Sequence, residues 1–176
     1  MATLTPITAR RLPWHMTSGF TAFDPDAGVT PTEAALITGL DTEVTMHPIF
    51  SHDGTMIERK AETWRDGHHL GIVGKDTYHP VPFMDAFLPY VKALMMETPL
   101  VVVGAGKFAG GAREAMVLAW PEALLVNGEE FNGFMYVQNS HDRSISLSLN
   151  QRKVRHSCTN QFPSIHRAAQ IKLRHT

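Results

Sequence analysis

Three short polar turns, Ser51-His52-Asp53-Gly54, Arg65-Asp66-Gly67 and Asn127-Gly128, each separate runs of strand-forming residues. Asp-Gly and Asn-Gly adopt the positive φ of a tight hairpin at little cost, so each marks a reversal between antiparallel strands. Strands are expected over 43–50, 55–65 and 69–74, over 100–103, and on both sides of Asn127-Gly128. Residues 131–139 are rich in aromatics and β-formers. In 144–150, Ile145, Leu147 and Leu149 alternate strictly with Ser144, Ser146, Ser148 and Asn150. That period of two predicts a half-buried strand with one wet face, joined to its neighbour by a hairpin loop over 139–143.

Helical signals are fewer. Thr30-Pro31-Thr32-Glu33 is a capping box with proline at the first helical position, and Gly39 suits the end of a short helix over 34–40. Phe83, Phe87, Tyr90, Val91 and Leu94 recur at three- and four-residue spacing, which predicts a second helix. Residues 163–174 read as a basic helix with Ile165, Ala168, Ala169 and Leu173 on one side. The expected fold is α+β: a largely antiparallel, curved sheet of hairpins, two packed helices and a basic C-terminal helix. At 176 residues one domain is expected. It comprises an irregular N-terminal arm (1–30, anchored by Trp14), an acidic α+β body (30–142) and a basic strand–helix tail (143–176).

Charge divides at the same place. Every one of the 17 acidic residues precedes position 143, giving residues 1–142 a net charge of −8, whereas residues 143–176 carry seven Lys and Arg for a net +7. The near-neutral total of −1 conceals this polarity. No apolar run approaches the ~20 residues that span a bilayer, and the N-terminus lacks a signal-peptide core. The single cysteine, Cys158, fits a reducing cytoplasm.

Catalytic and cofactor motifs are incomplete. Gly104-Ala105-Gly106-Lys107-Phe108 lacks the Ser or Thr that a phosphate loop places after Gly-Lys. A dinucleotide site would need a helix over 113–120 and a following βαβ unit, so a turn or bulge where backbones approach closely is the expectation for 104–111. His68-His69, His141-Asp142 and His156 with Cys158 could each offer two metal ligands, short of the four of a usual zinc site. Nucleophilic catalysis by Ser140 with His141 and Asp142 would need partners that adjacent strand positions point apart, while His156 and Cys158 share a strand face but a lone cysteine more often serves as a small buried hydrophobe. The motifs imply no cofactor and no metal.

The string Asn139-Ser140-His141-Asp142, the Ser-rich strand after it, and the run Val154-Arg155-His156-Ser157-Cys158-Thr159-Asn160 together resemble the phage- and plasmid-related proteins of domain-of-unknown-function family 932. In that family a similar turn continues with glycine, where this chain has Arg143, and leads to a strand ending in a comparable Cys- and Asn-bearing run. The resemblance extends upstream to about Trp14. Family members often continue beyond the equivalent of Thr176, so the chain resembles a short or truncated member. The resemblance implies a role in handling mobile-element DNA in a bacterial cytoplasm. With it, the uncompensated cations Arg152, Lys153, Arg155, Arg167, Lys172 and Arg174 are the expected contacts to nucleic acid, single-stranded DNA first, in a homo-oligomer that anneals or protects without catalysis. Two other classes remain: an interaction protein that modulates a host factor through its acidic body, and a small metal-dependent hydrolase or nuclease using His141 and Asp142.

Overall fold

The structure, a computed structural model, describes residues 3–6, 19–127, 129–155 and 171–173, with the backbone alone at 3–6, 124–126, 129–130, 152–155 and 171–173. Among the described residues there are eleven strands and three helical segments apart from a 3-10 turn at Pro25–Ala27. In chain order these are β1 (Thr3–Pro6), β2 (Phe20–Ala22), α1 (Pro31–Thr38), β3 (Thr45–Phe50), β4 (Met56–Arg65), β5 (His68–Gly74), α2 (Phe83–Ala86), α3 (Leu88–Glu97), β6 (Val101–Phe108), β7 (Arg113–Ala119), β8 (Glu122–Val126), β9 (Glu129–Ser140), β10 (Leu147–Arg155) and β11 (Ile171–Leu173). The fold is mixed α+β, with two sheets whose pairings are all antiparallel.

The smaller sheet is the meander β3–β4–β5. Its hairpins close as the turn chemistry predicts. Gly54 has φ 83°, Ser51 N–H donates to Thr55 O at 2.8 Å, and Asp66 and Gly67 both take positive φ, 52° and 76°. The larger sheet has eight strands. β7 and β8 lie end to end along one edge of β9, pairing with 134–140 and 129–131 respectively, and the break between them falls at Trp120-Pro121. β6 flanks β7 and β1 flanks β8, while β2 extends the sheet beyond β6. β10 takes the other edge of β9, and β11 pairs with β10.

Alternation along the sheet builds the core. Val102, Ala105, Met116, Leu118, Met135 and Val137 share one apolar cluster with Ala34 and Ala35 of α1 and with Phe83, Phe87 and Val91. α1 starts with the complete capping box: Glu33 N–H donates to Thr30 Oγ1 at 3.2 Å and Thr30 N–H to Glu33 Oε2 at 2.9 Å. Gly39 ends it at φ 68°. The second expected helix forms but breaks at Phe87, because Pro89 has no N–H to continue the ladder into α3. Tyr90, expected on its apolar face, is 69 % exposed.

Several expectations change. The N-terminal arm is not wholly irregular: β1 and β2 each recruit an open edge of the large sheet. Residues 104–108 are strand, with a register shift between Val102 and Gly104 and a turn only from Ala109, and 113–119 is strand, not the helix that a dinucleotide site would need. The glycines there serve close approach, since a Cβ on Gly106 would collide with Gly19 O and stand 2.9 Å from Phe20 Cα. Gly106→Ala is therefore expected to lower stability by about 1–3 kcal/mol through overpacking, read as a lower urea midpoint at unchanged m-value. Ser144-Ile145-Ser146 belongs to the loop, and β10 begins only at Leu147. Leu147 and Leu149 pack against the main cluster as expected, but the other face is not wet: Ser148 and Asn150 are buried, and Ser148 Oγ accepts from both Gln138 Nε2 (3.0 Å) and Asn150 Nδ2 (3.2 Å). The basic helix expected over 163–174 is not helical at its end, where Ile171–Leu173 is strand β11 paired to Leu147–Leu149 of β10. The alternation Ile-Lys-Leu suits that edge, and pairing supplies backbone partners that a one-turn helix end lacks. Trp14 and the rest of 163–170 lie outside the described residues.

Candidate functional site

The most chemically loaded place in the fold is the seam between the two sheets. Alternation on β4 turns Ala61, Thr63 and Arg65 inward, and all three are buried. β7 contributes Glu114, paired in register with Asn139 of β9. β9 ends at Ser140, so His141 follows directly at the mouth of the loop, and Tyr78 comes from the segment after β5.

Glu114 is the hub. Its Oε2 accepts from Arg65 Nη2 at 2.7 Å, and its Oε1 accepts from Asn139 Nδ2 at 3.0 Å and from His141 Nε2 at 3.2 Å. A carboxylate only accepts, so Nε2 of His141 carries the proton and its 3.4 Å approach to Arg65 Nη2 is not a hydrogen bond. His141 Nδ1 and the Tyr78 hydroxyl share a hydrogen bond at 3.0 Å. Burial, followed by the charges of Glu114 and Asp142, pushes the Tyr78 phenol above its ordinary value, which keeps it a donor. Burial alone would raise the Glu114 carboxyl, but the hydrogen bond and charge of His141 and the pairing with Arg65 outweigh it and hold it below the usual range.

The backbone is tied into the same knot. Thr63 Oγ1 donates to His141 O at 2.7 Å, His141 N–H to Ala112 O at 2.7 Å, and Asn139 Nδ2 to Val81 O at 3.1 Å. Glu114, His141 and Tyr78 have no exposed surface and Arg65 has 3 %. This arrangement holds charge out of water and locks the small sheet to the large one.

The turn that carries the family resemblance is thus divided between two tasks. Asn139 and His141 belong to the buried knot. Ser140 closes the loop, its Oγ accepting from Ile145 N–H at 2.9 Å and donating to Ile145 O at 2.7 Å. Asp142 accepts from Ser144 N–H at 2.8 Å and from Ser144 Oγ, and stands 4.0 Å from Arg113 Nε. Burial opposes ionisation of Asp142, but those bonds and Arg113 hold its pKa below the ordinary value. Asn139 and Ser140, expected in the loop, are the last residues of β9. Arg143 has φ 64°, a conformation that favours glycine.

The expected nucleic-acid contacts distribute as follows. Arg152, Lys153 and Arg155 lie on β10, paired in register with Phe134, Gly133 and Phe131. Lys172 is opposite Ser148 in the β10–β11 pair, about 14 Å from position 152 at ~3.4 Å per residue. Among the described residues, β10 beyond Leu149 has a strand partner on one edge only. Arg167, Arg174, Cys158 and Asn160 lie outside the described residues. Among the described residues no group of three or more His, Cys, Asp or Glu is arranged to hold a metal ion, and no helix is long and apolar enough to cross a membrane.

Arg65, Glu114, Tyr78 and Thr63 were not singled out from the sequence. The one local signal was a lone acid, Glu114, at the head of an apolar run; its partners are 49, 27 and 25 residues away. Comparison with family models, with curated proteins and with solved structures finds no match. The resemblance to family 932 rests on the residues quoted for it.

Proposed function

We propose that this chain is a non-enzymatic nucleic-acid-binding protein that holds single-stranded DNA in annealing or protection, acts as a homo-oligomer in a bacterial cytoplasm, and serves a phage or plasmid. The observation that carries this reading is the charge partition, +7 with no acid over residues 143–176. Phosphate neutralisation with counterion release is what such a segment does best, and it needs no base readout. Two features support it. Three of the cations lie on β10, a strand with one edge unpaired beyond Leu149 among the described residues. Of the motif's acid–base residues, His141 is committed to the buried knot with Glu114, and Asp142 is bonded to Ser144 within its own loop.

The test is fluorescence anisotropy of a labelled single-stranded oligonucleotide across a salt series. If Arg152, Lys153 and Arg155 each neutralise one phosphate, log affinity should fall against log salt with a slope of about −2. No binding at low salt overturns the reading. It would favour the host-factor alternative, for which the observation is the exposed apolar group Phe50, Met56 and Ile57 on the β3–β4 hairpin of the acidic body, at 58 %, 44 % and 41 % exposure.

A further inference from the structure

The outer face of the small sheet carries an open cleft of about 480 Å³, lined by Trp64. Register explains the composition. Trp64 sits on the central strand with Thr45 opposite on β3 and His69 opposite on β5, and Glu62 stands opposite His47. His47 and His69 meet the indole edge-on, at centroid distances of 6.3 and 5.4 Å. The indole Nε1–H donates to Glu62 Oε2 at 2.8 Å, which fixes both the ring and the carboxylate. Glu43 and Asp66 complete the rim. Asp66 is neutralised by Lys107 at 2.9 Å, whereas among the described residues neither Glu43 nor Glu62 has a salt-bridge partner. Arg65, which also lines the cleft, turns its guanidinium inward to Glu114.

A fixed indole with a carboxylate at its edge and a second carboxylate nearby is a receptor for a guanidinium or ammonium group. The ring attracts the cation, and the carboxylates accept its hydrogens. The chain itself supplies the complement. Its acidic part and its basic part differ by a single unit in magnitude, −8 against +7. Contacts between an acidic patch on one copy and a basic strand on the next are heterologous, so they propagate or close into rings.

We propose that the Trp64 cleft receives the basic strand β10 of a second copy of this chain. The inference rests on the homo-oligomer part of the proposed function and makes nucleic acid and the cleft compete for β10; its test contains no nucleic acid, so its failure and the failure of DNA binding are read separately.

The experiment uses light scattering of the full chain at low salt, with two variants. Glu62→Lys destroys the cleft and leaves the basic strand. The double variant Lys153→Glu, Arg155→Glu destroys the strand and leaves the cleft. Wild type is expected above monomer mass, falling as salt rises. Each variant alone is expected at monomer mass. An equimolar mixture of the two should form a one-to-one dimer and nothing larger, because only one intact cleft meets one intact strand. A monomeric wild type at low salt, wild-type mass in either variant alone, or a mixture that stays monomeric each overturns the proposal. Circular dichroism checks that each variant is folded. If Glu62→Lys is not folded, the pair Glu43→Gln, Trp64→Leu replaces it in the same mixture, with the same outcomes.

Discussion

Glu114→Gln is expected to destabilise the protein by about 3–5 kcal/mol, the usual cost of stranding one member of a buried ion pair. The neutral amide of that variant could still meet Asn139 and His141, so the loss would come mainly from Arg65, a guanidinium with 3 % exposure left without its counter-charge. Arg65→Met should cost a similar amount by stranding Glu114. The double variant Arg65→Met, Glu114→Gln should be much less unstable than the sum of the two, because neither charge remains to be buried. Urea denaturation of the four proteins measures the coupling. An additive double loss would mean that the two sheets are not joined through this pair.

The same carboxylate sets an acid limit. Its folded pKa lies below its ordinary value, so its contribution is fully present above the unfolded pKa and is lost as pH falls through the folded one. The stability gap between wild type and Glu114→Gln should therefore narrow as pH is lowered through that window. A gap that widens in acid would contradict the assignment of Glu114 as the ionised hub.

Lys153→Glu with Arg155→Glu is expected to abolish most single-stranded DNA binding at low salt. Two lost phosphate contacts flatten the slope of log affinity against log salt by roughly 1.4, and the reversed charges add repulsion that is strongest where screening is weakest. β10 is strand through Arg155, which the pairing of alternate positions 153 and 155 on one face requires. Anisotropy across a salt series reads the slope, and a thermal midpoint checks the fold. Binding that keeps its full slope would move the interface to Arg167, Lys172 and Arg174.

The sequence by itself determined what depends on near neighbours. The Thr30–Glu33 box, the Gly39 stop and the Asp53-Gly54 and Asp66-Gly67 hairpins are settled within a few residues by sterics and single hydrogen bonds, and all are present. The aromatic run at 131–139 likewise becomes β9. Which face of a strand is wet is not a local property. Ser148 and Asn150 read as solvent-facing, but pairing with β9 places Ser148 against Gln138, and Ser148 Oγ accepts hydrogen bonds from Gln138 and Asn150 in the buried layer. Ile171–Leu173 reads as the end of a helix until the edge of β10 offers it a backbone ladder. The Arg65–Glu114–His141 knot lay furthest from reach. Its members are ordinary in their own segments, and only the folding of one sheet against the other brings charges from positions 65, 114 and 141 within hydrogen-bonding range, where exclusion of water makes their pairing obligatory.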